Sequence, residues 1–164
     1  GLIGSENLNT TLQQQLNPSS TPLLRFGRCF HIGDKVMQIR NDYKREVFNG
    51  DIGYIDDIDP EERVVSIRFE DREVLYEYAD LDELVLAYAI SVHKFQGSEC
   101  PCVVMPIHTS HFMLLHRNIV YTGIKRGKKM VVLVGTKKAL AIAVSKGDVE
   151  KRYTSLSQNL MELF

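Results

Sequence analysis

The sequence predicts an α/β protein interrupted by a small β-barrel. Between residues 33 and 86 it reads as short strands separated by tight turns. After 86 it reads as strands alternating with helices, including the unbroken apolar run Met130-Val131-Val132-Leu133-Val134-Gly135. Charge divides the chain in nearly the same place. Residues 51–86 hold 13 Asp/Glu against 3 Arg, a net of −10, while the remainder nets +9 and the whole chain −1. An acidic segment inside a basic chain reads as a separate unit facing away from any polyanion, and the basic remainder suits a phosphate backbone or simply a solvated surface.

The elements follow in order. Residues 5–16 are expected to be helical, with Ser5 or Asn7 as cap and Leu8, Leu12 and Leu16 on one face. Asn17-Pro18 ends that helix, because a residue before proline is pushed out of the helical region, and Ser19–Pro22 is a loop. Gly33-Asp34 turns into a strand around Val36–Arg40. Asn49-Gly50-Asp51 is a strong turn, Ile52–Ile58 a strand, and Asp59-Pro60-Glu61-Glu62 the next turn. Val65, Ile67 and Phe69 share one face of a strand, as do Val74, Tyr76 and Tyr78 of the next, and Leu81–Leu86 closes the set. Beyond it, Val103–Pro106 is expected as a short buried strand stopped by proline. Residues 109–124 form a helix packing through Phe112, Leu115 and Ile119, and Met130–Gly135 an interior parallel strand. Thr136 caps a helix through Lys137–Val144, and the amphipathic stretch 150–164 closes the chain as a further helix.

Composition excludes some classes. With 44% hydrophobic and 25% charged residues the chain reads as soluble and globular. It has no run of membrane-spanning length and no secretory signal, and with a first residue other than Met it is expected to be a piece of something longer. Three cysteines (Cys29, Cys100, Cys102) are too few and too odd for a disulfide framework, which points to a reducing, cytoplasmic setting. Cys100-Pro101-Cys102 is one residue short of a zinc knuckle and has no second pair, so small buried thiols are expected and no metal site.

Two polar clusters could carry chemistry. Ala89-Ile90-Ser91-Val92-His93-Lys94-Phe95-Gln96-Gly97-Ser98-Glu99 precedes an apolar strand. Gly97 lets backbone approach a ligand, His93, Lys94 and Gln96 offer donors, and Glu99 offers an acceptor for a sugar hydroxyl. Alone, the cluster reads equally as a polar loop with a glycine turn. Tyr121-Thr122-Gly123-Ile124-Lys125-Arg126-Gly127-Lys128-Lys129 packs four cations into five positions between a helix and a buried strand. An arginine there suits a terminal phosphate, because its planar fork bonds two oxygens and keeps its charge. Alone, this cluster reads as a basic surface run. Gly123 to Lys128 imitates a phosphate loop, but only three residues separate the glycines and Lys129 stands where Ser/Thr would hold magnesium. The chain is therefore not expected to hydrolyse ATP alone.

Together the two clusters resemble motifs of superfamily 1 DNA helicases. Ser91–Glu99 resembles motif V in its RecD-like form, and Val120–Lys129 resembles motif VI. Gly33–Tyr43 with Phe48–Gly53 is similar to the stretch before the barrel that RecD-like enzymes insert, and Leu8–Pro18 to the segment after motif IV. The resemblance covers nearly the whole chain in the right order. It implies a second RecA-like (P-loop NTPase-type) domain made of 1–32 and 87–164, with a Src-homology-3-like barrel, 33–86, inserted. It implies that Arg126 is a catalytic arginine finger on the γ-phosphate and that Gly97 and Glu99 touch the nucleotide. It places Ser91, His93, Lys94 and Gln96 toward single-stranded DNA, with Gln96 coupling the two sites. ATP and Mg2+ are implied for the full-length 5′-to-3′ helicase, shared with an absent N-terminal RecA-like domain, and none tightly bound by the fragment. A protein partner for the acidic barrel and no membrane contact complete the expectation. Three residues depart from the family pattern: Lys125 for threonine, Ser91 for threonine and Phe95 for serine. The competing reading is a non-catalytic nucleic-acid- or protein-binding module.

Overall fold

The computed structural model describes residues 4–19, 21–70 and 72–147, except the side chains of His111, Phe112 and Leu114. The expected helix at 150–164 and the packing of Phe112 lie outside the described residues. The chain divides into two compact units, Gly1–Glu99 and Cys100–Phe164, and is mixed α/β.

The first unit opens with helix α1 (Ser5–Leu16). Its start differs from expectation: Gly4 is the N-cap and no side chain caps it. Its buried side differs too. Leu8 and Leu12 are half-buried and Leu16 is exposed, whereas Asn9 and Gln13 are buried. These amides are buried because they find partners across the unit. Gln13 Nε2 donates to the Cys29 carbonyl (3.0 Å), and Asn9 bonds the backbone of Ala89 in both directions.

A hairpin that sequence reasoning missed follows. Strands β1 (Leu23–Arg25) and β2 (Arg28–Phe30) pair antiparallel around Phe26-Gly27, both at positive φ. Two consecutive left-handed residues are what a two-residue turn of matching twist needs, and the glycine at its second position was the available signal.

Five strands then form one antiparallel sheet in the order β6-β5-β4-β3-β7. They are β3 (Lys35–Gln38), β4 (Ile52–Asp59), β5 (Val64–Phe69), β6 (Arg72–Glu77) and β7 (Leu84–Leu86). The turns fall where expected: Gly50 adopts φ +102°, and the Asp59 carboxylate accepts from the amides of Glu61 and Glu62. Val65, Ile67, Phe69, Tyr76 and Tyr78 are buried, as their alternation predicts. Arg45 lies over the Tyr76 ring at 4.7 Å and is paired to Asp42 and Asp80.

The barrel is a correction. The sheet is open: among the described residues β6 pairs only with β5, and β7 only with β3. The segment expected to close it, Leu81–Leu86, begins inside a 3-10 turn (Asp80–Glu83) instead, which leaves β7 only three residues. Side chains from outside the five strands join its core. Leu81 from that turn and Phe30 from β2 are both fully buried in the same core as Val36, Ile55, Val65 and Tyr76. Phe30 therefore gives the sheet apolar contact that residues 33–86 do not contain.

The second unit is built on two parallel strands, β8 (Cys100–Ile107) and β9 (Gly127–Gly135). Between them lie a 3-10 turn (Thr109–Leu114) and helix α2 (Arg117–Ile124), so the single helix expected over 109–124 is broken at His116, whose φ of −123° is extended. No proline or glycine marks that break. Helix α3 (Lys137–Ser145) is capped by Thr136, whose Oγ1 accepts from the Ala139 amide at 3.2 Å. Ile107, Leu115, Val120, Ala139 and Ala143 form the core.

Two strand expectations change here. β8 runs through Pro106 rather than stopping at it, and Val104 is 63% exposed. Among the described residues β8 pairs with β9 alone, and a strand with an open side tolerates proline where the missing N–H would face that side. β9 is not interior among the described residues: Met130, Val132, Leu133 and Val134 are exposed. Among the described residues it pairs with β8 alone, whereas parallel strands are ordinarily covered on both faces. The thiols are not uniformly buried either. Cys29 and Cys100 are half-buried and Cys102 is exposed, because it sits on the open face of β8. No helix among the described residues is long and apolar enough to cross a membrane.

Candidate functional site

Residues 91–99 leave the first unit as a run of turns rather than a helix. Backbone bonds from Phe95 to Ser91 (3.1 Å), Gln96 to His93 (3.3 Å) and Ser98 to Phe95 (3.3 Å) hold the run together. Ser91 Oγ accepts from the Lys94 amide at 3.3 Å. The hydroxyl thus has a structural role in starting the turn, and an accepting oxygen still has a proton to donate outward. Burial sorts the segment by chemistry. Ser91, His93, Lys94, Gln96, Gly97 and Glu99 are exposed, while Val92 and Phe95 are half-buried. The polar residues singled out in the sequence are thus presented to solvent, and the two apolar ones turn toward the protein.

Gly97 has φ +93°, and a Cβ built there would meet nothing within 4 Å. Its requirement is conformational: an L side chain is strained at that φ, although the space is open. Gly97 therefore presents backbone, not side chain, at an exposed position.

The second cluster lies in the other unit. Helix α2 ends at Ile124, and Lys125 and Arg126 occupy the handover to β9. Arg126 is half-buried, and its Nε donates to the Thr122 carbonyl at 3.2 Å, one of the last carbonyls of α2. Its own carbonyl accepts from the Cys100 amide at 2.9 Å. The arginine is therefore fixed at both ends, side chain to helix and backbone to strand. Gly127 follows because nothing larger fits: a Cβ there would stand 2.6 Å from Val131 Cγ2 and 2.8 Å from the Met130 carbonyl oxygen. Lys125 Nζ lies over the Tyr121 ring at 4.7 Å, a cation–π contact. Lys128 and Lys129 are exposed on β9. Cations at a helix C-terminus also stabilise its dipole, so the cluster has a structural use besides any ligand. Among the described residues no three His, Cys, Asp or Glu side chains are grouped to hold a metal ion.

The profile of the ATP-dependent RecD-like DNA helicase SH3 domain matches residues 8–69, and that of the UvrD-like helicase C-terminal domain matches 86–134. The ATP-dependent RecD2 DNA helicase of Deinococcus radiodurans is 33% identical over 160 residues, covering 98% of this chain. The chain belongs to the RecD-like helicases. The RecBCD enzyme subunit RecD of Haemophilus influenzae, 30% identical over 161 residues, also aligns with 98% of it. The chain spans only 22% and 24% of the lengths of these two relatives. A crystal structure of the Pif1 helicase from Bacteroides, in complex with ADP-AlF3 and ssDNA, is similar in fold with a TM-score of 0.60 at 14% identity. That likeness covers 98% of this chain and 43% of the Pif1 chain.

In this RecD-like chain the candidate residues of both clusters fall within one of the two matched profiles. The SH3 profile begins in α1, takes in the hairpin with Phe30 and ends with β5, so β6 and β7 lie beyond it. The helicase C-terminal profile begins at the end of β7 and contains both Ser91–Glu99 and Arg126.

Proposed function

We propose that this chain is the C-terminal motor portion of an ATP-dependent DNA helicase that moves 5′ to 3′ on single-stranded DNA. In this reading, residues 1–32 and 87–164 are the second RecA-like domain and 33–86 is its SH3-like insert. The observation that carries it is Arg126, held by Thr122 and Cys100 at a helix–strand junction inside a segment that matches a helicase C-terminal domain. The likeness in fold to a Pif1 helicase supports the same reading.

ATP with Mg2+ would bind against this chain and be completed by an N-terminal RecA-like domain carrying the phosphate loop. Bound there, the nucleotide supplies the phosphoryl group whose transfer drives movement. The residues here fit one side of such a ligand. Arg126 has the planar, permanently charged fork that a terminal phosphate needs. Gly97 exposes backbone, and the Glu99 carboxylate can accept from a ribose hydroxyl. Lys129, in place of Ser/Thr, offers no ligand to magnesium. Ser91, His93 and Lys94 would donate to phosphates of the strand, contacts that position without reading sequence. Gln96, in the same run of turns, would couple strand and nucleotide. The acidic insert fits a protein contact better than a broad DNA contact.

The test uses the full-length protein. ATP hydrolysis should require single-stranded DNA, and duplexes with a 5′ tail should be unwound while 3′-tailed ones are not. Hydrolysis indifferent to DNA would sink the motor reading, and unwinding from 3′ tails would sink the direction. Lys125 gives a finer test. Because its ammonium rests on Tyr121, Lys125→Thr is expected to change turnover by no more than about threefold, the worth of an exposed cation–π contact. A loss of tenfold or more would place Lys125 on the phosphate.

A further inference from the structure

A buried polar cluster in the first unit belongs to neither candidate motif. Its centre is Asp34, with no exposed surface. The carboxylate accepts four hydrogen bonds from three separate stretches of chain: α1 with its C-cap, residue 31 and residue 88. Oδ2 takes them from Gln13 Nε2 (2.5 Å) and the His31 amide (2.8 Å). Oδ1 takes them from Asn17 Nδ2 (2.8 Å) and the Tyr88 hydroxyl (2.9 Å). Asn17 Nδ2 also donates to the Ile32 carbonyl at 3.0 Å, and His31 Nδ1 donates to the Asn17 carbonyl at 2.8 Å. Burial, with the Asp34 bond second, pushes the Tyr88 phenol up to about 12. One residue further on, Asn9 Nδ2 donates to the Ala89 carbonyl and Asn9 Oδ1 accepts from the Ala89 amide, both at 2.8 Å.

A buried carboxylate is costly to desolvate even when fully bonded, and apolar side chains of the same volume would hold α1 to the sheet about as well. What the cluster adds is direction, since hydrogen bonds set distance and angle where apolar contacts permit sliding. The place it fixes is specific. Asp34 stands at the entrance to the sheet, where its carbonyl accepts from the Ile55 amide at 3.0 Å. Tyr88 and Ala89 stand at the exit, and two residues later the chain reaches Ser91.

We infer that Asp34 and Asn9 are positioning residues for the 91–99 segment, clamping the Tyr88-Ala89 backbone to helix α1 and so setting where that segment leaves the sheet. The inference rests on the reading of 91–99 as the DNA-facing run. One carboxylate then holds both crossings between the sheet and the rest of the unit, so a movement of the sheet is felt at the start of that run.

The test uses the full-length protein with Tyr88→Phe, which removes one bond and keeps the ring, and Asn9→Ala, which removes both bonds to Ala89. Three quantities are measured: thermal melting, amide hydrogen exchange across 91–99, and the single-stranded DNA concentration giving half-maximal ATP hydrolysis. Each variant should exchange the 91–99 amides about 3- to 10-fold faster and require about 3- to 10-fold more DNA, the worth of one or two hydrogen bonds. Turnover at saturating DNA should stay within about twofold, because the interaction lost is one of binding. A lowered melting temperature with exchange and DNA requirement unchanged overturns the inference, and so does faster exchange without a changed DNA requirement. If the unaltered protein shows no DNA-stimulated hydrolysis, the functional reading fails instead, and the exchange measurement still decides whether the clamp positions 91–99.

Discussion

Arg126→Ala in the full-length protein is expected to lower ATP turnover by about 10³-fold or more, the loss typical when a charge-stabilising arginine is removed from phosphoryl transfer. Single-stranded DNA binding should change by less than about threefold, since one cation among many contributes little to a phosphate-tracking surface. The folded-state bonds lost include Nε to the Thr122 carbonyl, worth about 1 kcal/mol, so a melting curve run beside the assay separates chemistry from unfolding. Arg126→Lys should be nearly as damaging, because an ammonium cannot bond the helix end and fork a phosphate at once. Turnover within tenfold of the unaltered enzyme would remove Arg126 from the reaction.

Phe30→Ala should cost about 3–5 kcal/mol, the usual range for emptying a buried aromatic position. That is a large part of the 5–15 kcal/mol that separates folded from unfolded states of a domain. The ring is fully buried among Val36, Ile55 and Leu84, yet it arrives from the hairpin and not from the five-stranded sheet. A urea titration of this chain should therefore show the sheet melting early in the variant. A change below about 1 kcal/mol would mean that the sheet closes its core without the hairpin.

These two positions show what was legible in the sequence and what was not. Val65, Ile67 and Phe69 could be read from alternation because each faces one core and its strand has a fixed period. Asn49-Gly50-Asp51 could be read because a turn is a local object. Phe30 could not be assigned to the sheet, because its burial depends on partners up to 54 residues away, and a lone phenylalanine carries no address. Asn9 and Gln13 were harder still. Polar residues on a helix read as its wet side, and only bonds to Ala89, Cys29 and Asp34 make them the buried side. The open sheet was hidden for the opposite reason: Leu81–Leu86 has the composition of a strand, but half of it turns.

The candidate site was legible as motifs and not as geometry. Ser91–Glu99 and Lys125–Lys129 are contiguous in sequence, so their residue types were on view. The sequence did not show that Gly97 is needed for its φ while Gly127 is needed for space, or that Lys125 leans on Tyr121. Those are matters of a few tenths of an ångström and one torsion angle, and they exist only once the backbone is placed.

The hydrogen bond from the Cys100 amide to the Arg126 carbonyl has one more consequence. Arg126 immediately precedes Gly127, the partner of Cys100 at the first rung of a parallel ladder, so its aim is inherited from strand registration and not from its own rotamer alone. Registration changes only in whole residues, about 3.3 Å at a time, whereas a group acting on a reacting phosphate tolerates error of about 0.5 Å. The ladder already contains one such step: β9 carries one more residue than β8 between the Cys100 and Cys102 rungs, which sets the rung beside Arg126 apart from the remainder of the pair. On the proposed reading, an insertion or deletion on the Arg126 side of that step would carry the guanidinium off its phosphate by a whole residue.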